Sequence, residues 1–398
     1  MTAIITGRVR LPRATRFARR GWIASIAIVA ATQLASAADW SQEKATQADG
    51  LVGHFLKRLD EQDTSLPKAG LVYGVATSRG LIGAKAYRDA APGVPASVHT
   101  VYQVGSLAKQ FTAAGMLDLI ARHATLRNGT PLSLDLALSR IFSGVEHWPD
   151  RSADPTKQPV TLRSLLTMTS NLPNFTQRPP ASADPWGRIS APDLLAEIKR
   201  FNPSGWPNTF EYSNTSYFLL AEVMEEAVLP GKPGPITHHA YLRDVIFPRA
   251  NLVETGFVGD AQYGRTFADP INRRAPLFDK PDWLKGSADV ASSVSDLAAW
   301  NAALMEGRML PDAARAEMLS DGARVTPDTY YGMGWFIEHR PDGDLYSHSG
   351  LVPGFTSFNV IATQKDSSNW TSVTILINTD VSEGMETLAR DLLRIARE

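Results

Sequence analysis

The sequence predicts an α+β fold: one mixed, mainly antiparallel sheet flanked by helices and interrupted by an all-helical region. Three observations carry this. Strand-like apolar runs occur near both ends, over residues 71–77 and 81–87 and again between 332 and 377. From about 120 to 285 the text changes to short helical pieces between proline-rich loops, and 13 of the 26 prolines fall between Pro149 and Pro235. A helix over about 383–396 closes the chain. Strands at both ends share one sheet only if the helical middle is an insertion and the remaining helices cover the sheet faces.

With 43% hydrophobic residues in 398, the chain can bury a large core as one large or two intermixed domains. It contains no cysteine, which excludes disulfides, thiol catalysis and cysteine-ligated zinc. Residues 1–37 have the composition of an export signal. Six arginines lie between Arg8 and Arg20, a short apolar run follows over 23–35, and Ala35-Ser36-Ala37 is a cleavage site. The run is too short for a transmembrane helix, so the expectation is a periplasmic or secreted protein cleaved near Ala37, with no stable membrane span. Arg19-Arg20 leaves the general and twin-arginine export routes both open. Six of the 40 Lys+Arg and none of the 41 Asp+Glu lie in this segment, so the remainder carries a formal charge of −7. Such an acidic chain is a poor nucleic-acid binder.

The elements follow in order. Residues 41–60 read as an amphipathic helix with Leu51, Val52, Phe55, Leu56 and Leu59 on one face. Residues 71–77 and 81–87 form a β-hairpin turning at Ser78-Arg79-Gly80. The helical pieces are 162–169, 192–200 with Pro192 in its first turn, 215–227 and 239–247. Residues 332–338, 345–348, 355–361 and 372–377 read as strands, and Pro341-Asp342-Gly343-Asp344 is a turn between the first two.

The chemistry concentrates at Val104-Gly105-Ser106-Leu107-Ala108-Lys109. Between Leu107 and Ile120 only Lys109, Gln110, Thr112 and Asp118 are polar, so this helix is buried. A serine at its mouth with a lysine one turn later is an arrangement for an activated nucleophile. A lysine in apolar surroundings loses its proton more readily and can serve as base. The helix N-terminus favours negative charge on a carbonyl oxygen. Ser-x-x-Lys also occurs at Ser41 to Lys44 and at Ser65 to Lys68, but only Ser106 to Lys109 leads into a buried helix. The bland alternative is an N-cap serine and a snorkelling surface lysine. Two further motifs follow. Tyr212-Ser213-Asn214 precedes a helix, and His348-Ser349-Gly350 stands at a strand end.

With these three ordered motifs the sequence resembles the serine β-lactamase-like hydrolases: penicillin-binding proteins, class C β-lactamases, D-aminopeptidases and family VIII-type esterases. The resemblance spans about 45–396 and includes the stretches 162–173 and 294–300. It implies the β-lactamase/transpeptidase-like form of the predicted fold. Residues 38–398 would be one catalytic domain, with its α/β part over about 41–105 and 286–398 and its helical part over about 106–285. It implies an acyl-enzyme on Ser106, with Lys109 and Tyr212 sharing acid and base work in an order the sequence leaves open. Asn214 would bond Lys109 or the substrate, and His348 would face the cleft. The backbone N–H groups of Ser106 and Leu351 would form the oxyanion hole, and Ser349 and Gly350 would contact substrate. Two departures stand out. Asn171 replaces a frequent glycine and can still take a left-handed conformation. Ala288-Asp289 replaces a frequent Gly-Gly pair, either placing a carboxylate at the cleft rim or forming a solvated turn.

Three readings of function follow. The leading one is an exported serine hydrolase of small esters or amides. The second is a β-lactamase, D,D-peptidase or D-aminopeptidase acting on peptidoglycan-type substrates. His348 in place of a lysine weakens it, because a neutral imidazole offers a substrate carboxylate little charge. The third is a catalytically silent sensor or scaffold, disfavoured by the intact Ser106, Lys109, Tyr212 and Asn214. The expected partner is a small ester, amide or short peptide. No cofactor or metal is expected: His238-His239 reads as a surface pair, because adjacent helix residues do not face one way. Oligomeric state is not legible.

Overall fold

The hairpin and the last strands meet in one sheet. The computed structural model describes residues 40–398 except 63, 66, 151–158, 185–186, 205–207, 232–233, 235, 261–265, 272–279 and 381–382. The expected export signal and part of the proline-rich stretch lie outside the described residues. Strands β1 (Leu71–Thr77) and β2 (Gly80–Tyr87) form the antiparallel hairpin, with a bulge between Val75 and Ala76. The C-terminal strands are β3 (Ala323–Arg324), β4 (Thr329–Tyr331), β5 (Phe336–Arg340), β6 (Gly343–Val352), β7 (Phe355–Thr363) and β8 (Trp370–Ile377). The eight are ordered β3-β4-β5-β6-β7-β8-β1-β2, and every pairing is antiparallel.

The two-residue period of β1 sorts its side chains between two cores. Leu71, Tyr73 and Val75 pack with helix α1 (Gln42–Gln62) and the closing helix α5 (Met385–Arg397). Val72 and Ala76 join the larger core on the opposite side, which runs through the helical region. On that side helix α4 (Val294–Met305) lies against β1, β2 and β8. Gly74 permits the approach, because a Cβ there would meet Val294 Cγ1 at 2.4 Å. Asn301 of α4 and Asn359 of β7 exchange two 2.8 Å amide bonds across the interface. They satisfy each other's buried polar atoms.

Helix α2 (Ala108–Ala121) is buried from Ala108 to Leu119. Its acid, Asp118, accepts from Arg249, Arg122 and the Tyr241 hydroxyl, so no charge is stranded inside. Helix α3 (Asn214–Glu225) packs against α2 and is buried over nearly its whole length. Smaller helices occupy Leu162–Leu166 and Ala191–Ile198, the latter capped by Ser190 with Pro192 in the first turn. The helix expected over 239–247 is broken into His238–Tyr241, a π turn at Leu242–Ile246 and Phe247–Arg249.

Two strand expectations need correction. The run over 332–338 is not one strand, because Gly334 turns the chain with φ 84° between β4 and β5. The strand expected over 345–348 runs the full length of β6, which places His348 in its interior, paired with Asn359. A three-stranded ladder of Tyr102–Gln103, Val290–Ser292 and Gly256–Phe257 sits under the site. It holds the turn 286–289 beside the start of α2.

Candidate active site

Ser106 stands on a 3-10 turn, Gly105–Leu107, that runs directly into α2. Leu107 occupies the N-cap position of α2 without any side-chain bond, so the serine hydroxyl is not spent on capping. Gly105 has φ 52°, and a Cβ on it would come within 2.7 Å of the Leu351 nitrogen. Gly350, opposite, would bring a Cβ to 2.0 Å from the Val104 carbonyl, which also accepts a 2.8 Å bond from Ser357 Oγ. The Ser106 turn thus docks backbone to backbone on β6, and only glycine fits at either contact.

Lys109 is fully buried, which removes the snorkelling alternative. Its Nζ donates to Ser106 Oγ at 2.9 Å, to Asn214 Oδ1 at 2.7 Å and to the Ser287 carbonyl at 2.9 Å. Three acceptors match the three protons of an ammonium. Burial nevertheless pulls the lysine well below its ordinary pKa, and the Asp289 carboxylate opposes this only in part. Burial thus favours the free amine, the form that can act as a base.

Tyr212 and Asn214 arrive together at the start of α3. The strand-like approach through Tyr212 is pinned by the segment Met168–Asn174. Ser213 Oγ donates to the Leu172 carbonyl, and the Asn214 N–H donates to Asn174 Oδ1. Met168 and Asn171 both have positive φ, 58° and 56°, so Asn171 holds the left-handed turn that a glycine would supply. Asn214 is oriented from both ends, its Nδ2 donating to Thr176 Oγ1 at 2.8 Å and its Oδ1 accepting from Lys109. Tyr212 borders Ser106, and the Lys109 Nζ lies 4.9 Å from the Tyr212 ring centre. Burial raises the Tyr212 pKa, so the group next to Ser106 is a phenol rather than a phenolate.

His348 is brought to the rear of this group rather than to its mouth. Its ring is enclosed by Tyr212, Tyr331 and Phe336 at centroid distances of 6.0, 5.9 and 5.4 Å. Nδ1 donates to the Ser349 carbonyl at 2.6 Å, and Nε2 accepts from the Tyr331 hydroxyl at 3.3 Å. Burial first, and the nearby Lys109 second, push its pKa down to about 3. The imidazole is neutral and holds no charge for a substrate.

A cleft of about 440 Å³ opens at Ser106 and Asn214, walled by Trp283, Leu284, Ala288, Leu351 and Val352. The described residues lining it include no Lys, Arg, His, Asp or Glu. Ser349 and Gly350 do not line it. Ser349 is exposed elsewhere on β6, and Gly350 serves the backbone contact with Val104. Asp289 is neither at the rim nor in a solvated turn. It is 2% exposed and accepts from His239 Nε2 at 2.7 Å. His238 is also buried, against the surface reading. Sequence reasoning missed the Ser287 carbonyl, Thr176 and Tyr331. A backbone acceptor and an uncharged hydroxyl leave no pattern in the text. Of the other two Ser-x-x-Lys matches, Ser41 caps α1 through a 3.2 Å bond from the Lys44 N–H, and Lys68 is exposed beside Asp60.

Residues 57–398 match the family model described as Beta-lactamase. The chain belongs to the Beta-lactamase family. Among curated relatives it is similar to the putative penicillin-binding protein PbpX of Bacillus subtilis, 25% identical over 65% of this chain and 58% of that one. It is likewise 25% identical to penicillin-binding protein 4* of the same organism, over 67% of this chain and 59% of that one. The chain thus spans less than two thirds of these relatives' length. Among solved structures the octameric penicillin-binding protein homologue of Pyrococcus abyssi has a TM-score of 0.67 at 20% identity, covering 87% of this chain and 76% of that one. The D-amino acid amidase of Ochrobactrum anthropi SV3 has a TM-score of 0.64 at 20% identity, covering 89% and 99%. These structures share the mixed α+β fold. No helix among the described residues is long and apolar enough to cross a membrane.

Proposed function

We propose that this member of the Beta-lactamase family is a serine hydrolase that forms an acyl-enzyme on Ser106 and acts on small uncharged esters or amides. The observation that carries this is Lys109, buried with its Nζ 2.9 Å from Ser106 Oγ and its pKa lowered by burial. Neutral Lys109 accepts the Ser106 proton as Oγ bonds the substrate carbonyl carbon. The tetrahedral oxyanion is held by the N–H groups of Ser106 and Leu351, a pairing supported by the close approach of Gly105, next to Ser106, to the Leu351 nitrogen. Tyr212, held as a phenol, protonates the leaving oxygen or nitrogen as its bond to carbon breaks. The proton on Lys109 then passes back to Tyr212, and water repeats the sequence on the acyl-enzyme.

The substrate class follows from charge. The described cleft wall holds neither a cation for a carboxylate nor an anion for an ammonium, and His348 behind it is neutral. An uncharged ester therefore enters without leaving a charge unpaired, whereas an anionic β-lactam or a zwitterionic D-amino-acid derivative does not. The test is a substrate panel on the purified protein. Short-chain p-nitrophenyl esters are expected to show kcat/KM at least ~100-fold above a chromogenic cephalosporin and a D-amino-acid anilide, about 2.7 kcal/mol in transition-state binding. Comparable cephalosporin turnover would replace this reading with the β-lactamase one.

We also propose export through residues 1–37, on the strength of their arginine-rich, apolar and Ala-x-Ala pattern. N-terminal sequencing of the protein from its natural host should begin at or near Ala38. An intact Met1 on cytosolic material would exclude it.

A further inference from the structure

We propose that His238, His239 and Asp289 form a binding site for a divalent transition-metal ion of the zinc type. One ring nitrogen from each histidine and one carboxylate oxygen of Asp289 all lie within 4.8 Å of one another. Neighbouring positions on a helix are rotated by about 100° and ordinarily diverge. Here they sit at the first turn of the short helix His238–Tyr241, and the two rings converge to a centroid distance of 5.4 Å.

The strongest sign of a missing ligand is at His238, which is 0% exposed. Its Nε2 lies 3.0 Å from Thr112 Oγ1, and that hydroxyl donates its own proton to the Gly286 carbonyl at 2.8 Å. Nε2 must therefore be the N–H donor, which leaves Nδ1 as a bare lone pair. Nδ1 is buried and has no hydrogen-bond partner among the described residues. A buried acceptor without a donor is costly, and a cation is the partner such a lone pair lacks. The other two groups are held ready. Asp289 is 2% exposed, with one oxygen on the Gly286 N–H at 3.1 Å and the other on His239 Nε2 at 2.7 Å. The His239 ring is stacked on Phe257 at 3.7 Å and 14°.

Two imidazoles and a carboxylate are a borderline donor set that suits zinc, at ligand distances of about 2.0–2.2 Å. To bind, His239 presents its Nε2 lone pair to the ion and carries its proton on Nδ1, so the His239–Asp289 hydrogen bond is replaced by two metal bonds. The His239 side chain is 38% exposed, which provides an entry path and room for a water as fourth ligand. Thr112 and Gly286 supply the outer partners that fix ring tautomer and carboxylate orientation at metal sites. The proposal stands independently of the hydrolase reading.

The test uses the untagged full protein, freed of metal by a chelator and titrated with ZnCl2 by calorimetry. Co2+ absorption in the visible reports coordination number. The expectation is one saturable equivalent of Zn2+ and the intense d–d bands of four-coordinate Co2+. Thr112→Val should weaken Zn2+ by ~10–100-fold, the usual loss for an outer partner. His239→Gln and Asp289→Asn should each cost more than that. His239→Gln alters a partly exposed side chain, so it remains informative if Asp289→Asn fails to fold. Absence of saturable binding, or binding unchanged in His239→Gln, overturns the proposal and leaves the pair as a hydrogen bond holding the 286–289 turn.

Discussion

Lys109 Nζ and Asn214 Oδ1 are 2.7 Å apart, although 105 positions separate the two residues in the chain. The contact joins the first turns of α2 and α3 and orients a lysine that also donates to Ser106 Oγ and the Ser287 carbonyl. Lys109 is thus aimed by its partners as well as desolvated by them.

Covalent labelling tests the nucleophile directly. A fluorophosphonate should modify Ser106 alone, and Ser106→Ala should abolish both labelling and turnover. Peptide mapping of the label to Ser41, Ser65 or another serine would defeat the assignment.

Proton transfer by Lys109 and Tyr212 is tested by kinetics. Lys109→Ala or Tyr212→Phe should each lower kcat by ~10²-fold or more, the scale of general acid–base catalysis. Because Lys109 works as the free amine, kcat/KM should fall on the acid side with an apparent pKa well below that of an ordinary lysine. Folded variants of both kinds with near-normal turnover would remove the pair from the mechanism.

His348 makes a prediction about stability. Its pKa is about 3 in the fold against 6.5 for a free imidazole, so between these values the unfolded chain binds the extra proton. Its contribution is therefore present above pH 6.5 and is lost as pH falls toward 3, by at most ~1.4 kcal/mol per pH unit. Urea midpoints of His348→Gln should fall less steeply over this range than those of the natural protein. Parallel profiles would show that the imidazole titrates normally.

Gly350→Ala tests the docking of the nucleophile turn. Its methyl group would stand 2.0 Å from the Val104 carbonyl, so strand and turn must separate. The expected cost is about 1–3 kcal/mol of stability. Turnover should drop ~10²-fold from misplacement of the oxyanion donors. Unchanged kinetics would show that this contact does not set the site.

What the sequence discloses here follows from how local each feature is. The hairpin, the buried helix after Ser106 and the left-handed Asn171 all depend on neighbours in the chain, and each is legible. The strand expected over 332–338 fails because an apolar run conceals Gly334, whose turn is needed to pack against the backbone of Lys109 and Gln110. The apolar run over 345–348 puts His348 at a strand end, but the length of β6 is set by its pairing with β7. His238 reads as surface from helix spacing alone, whereas its buried environment includes Thr112, 126 positions away. The motifs name the residues proposed to react, whereas the rest of the cleft wall is assembled by tertiary packing.

The sheet has a consequence for the timing of biosynthesis. β1 lies between β2 and β8, and the Gly70 N–H bonds Asn378 Oδ1 across 308 positions. The N-terminal hairpin therefore keeps an open edge until almost the entire chain has left the ribosome. Pairings of such high sequence separation form slowly. Gly105 likewise waits for β6 before its turn has anything to rest on. On the proposed mechanism, a nascent chain of this protein carries Ser106 and Lys109 early but has no working nucleophile until its last strands arrive, so an unfolded chain would be chemically silent.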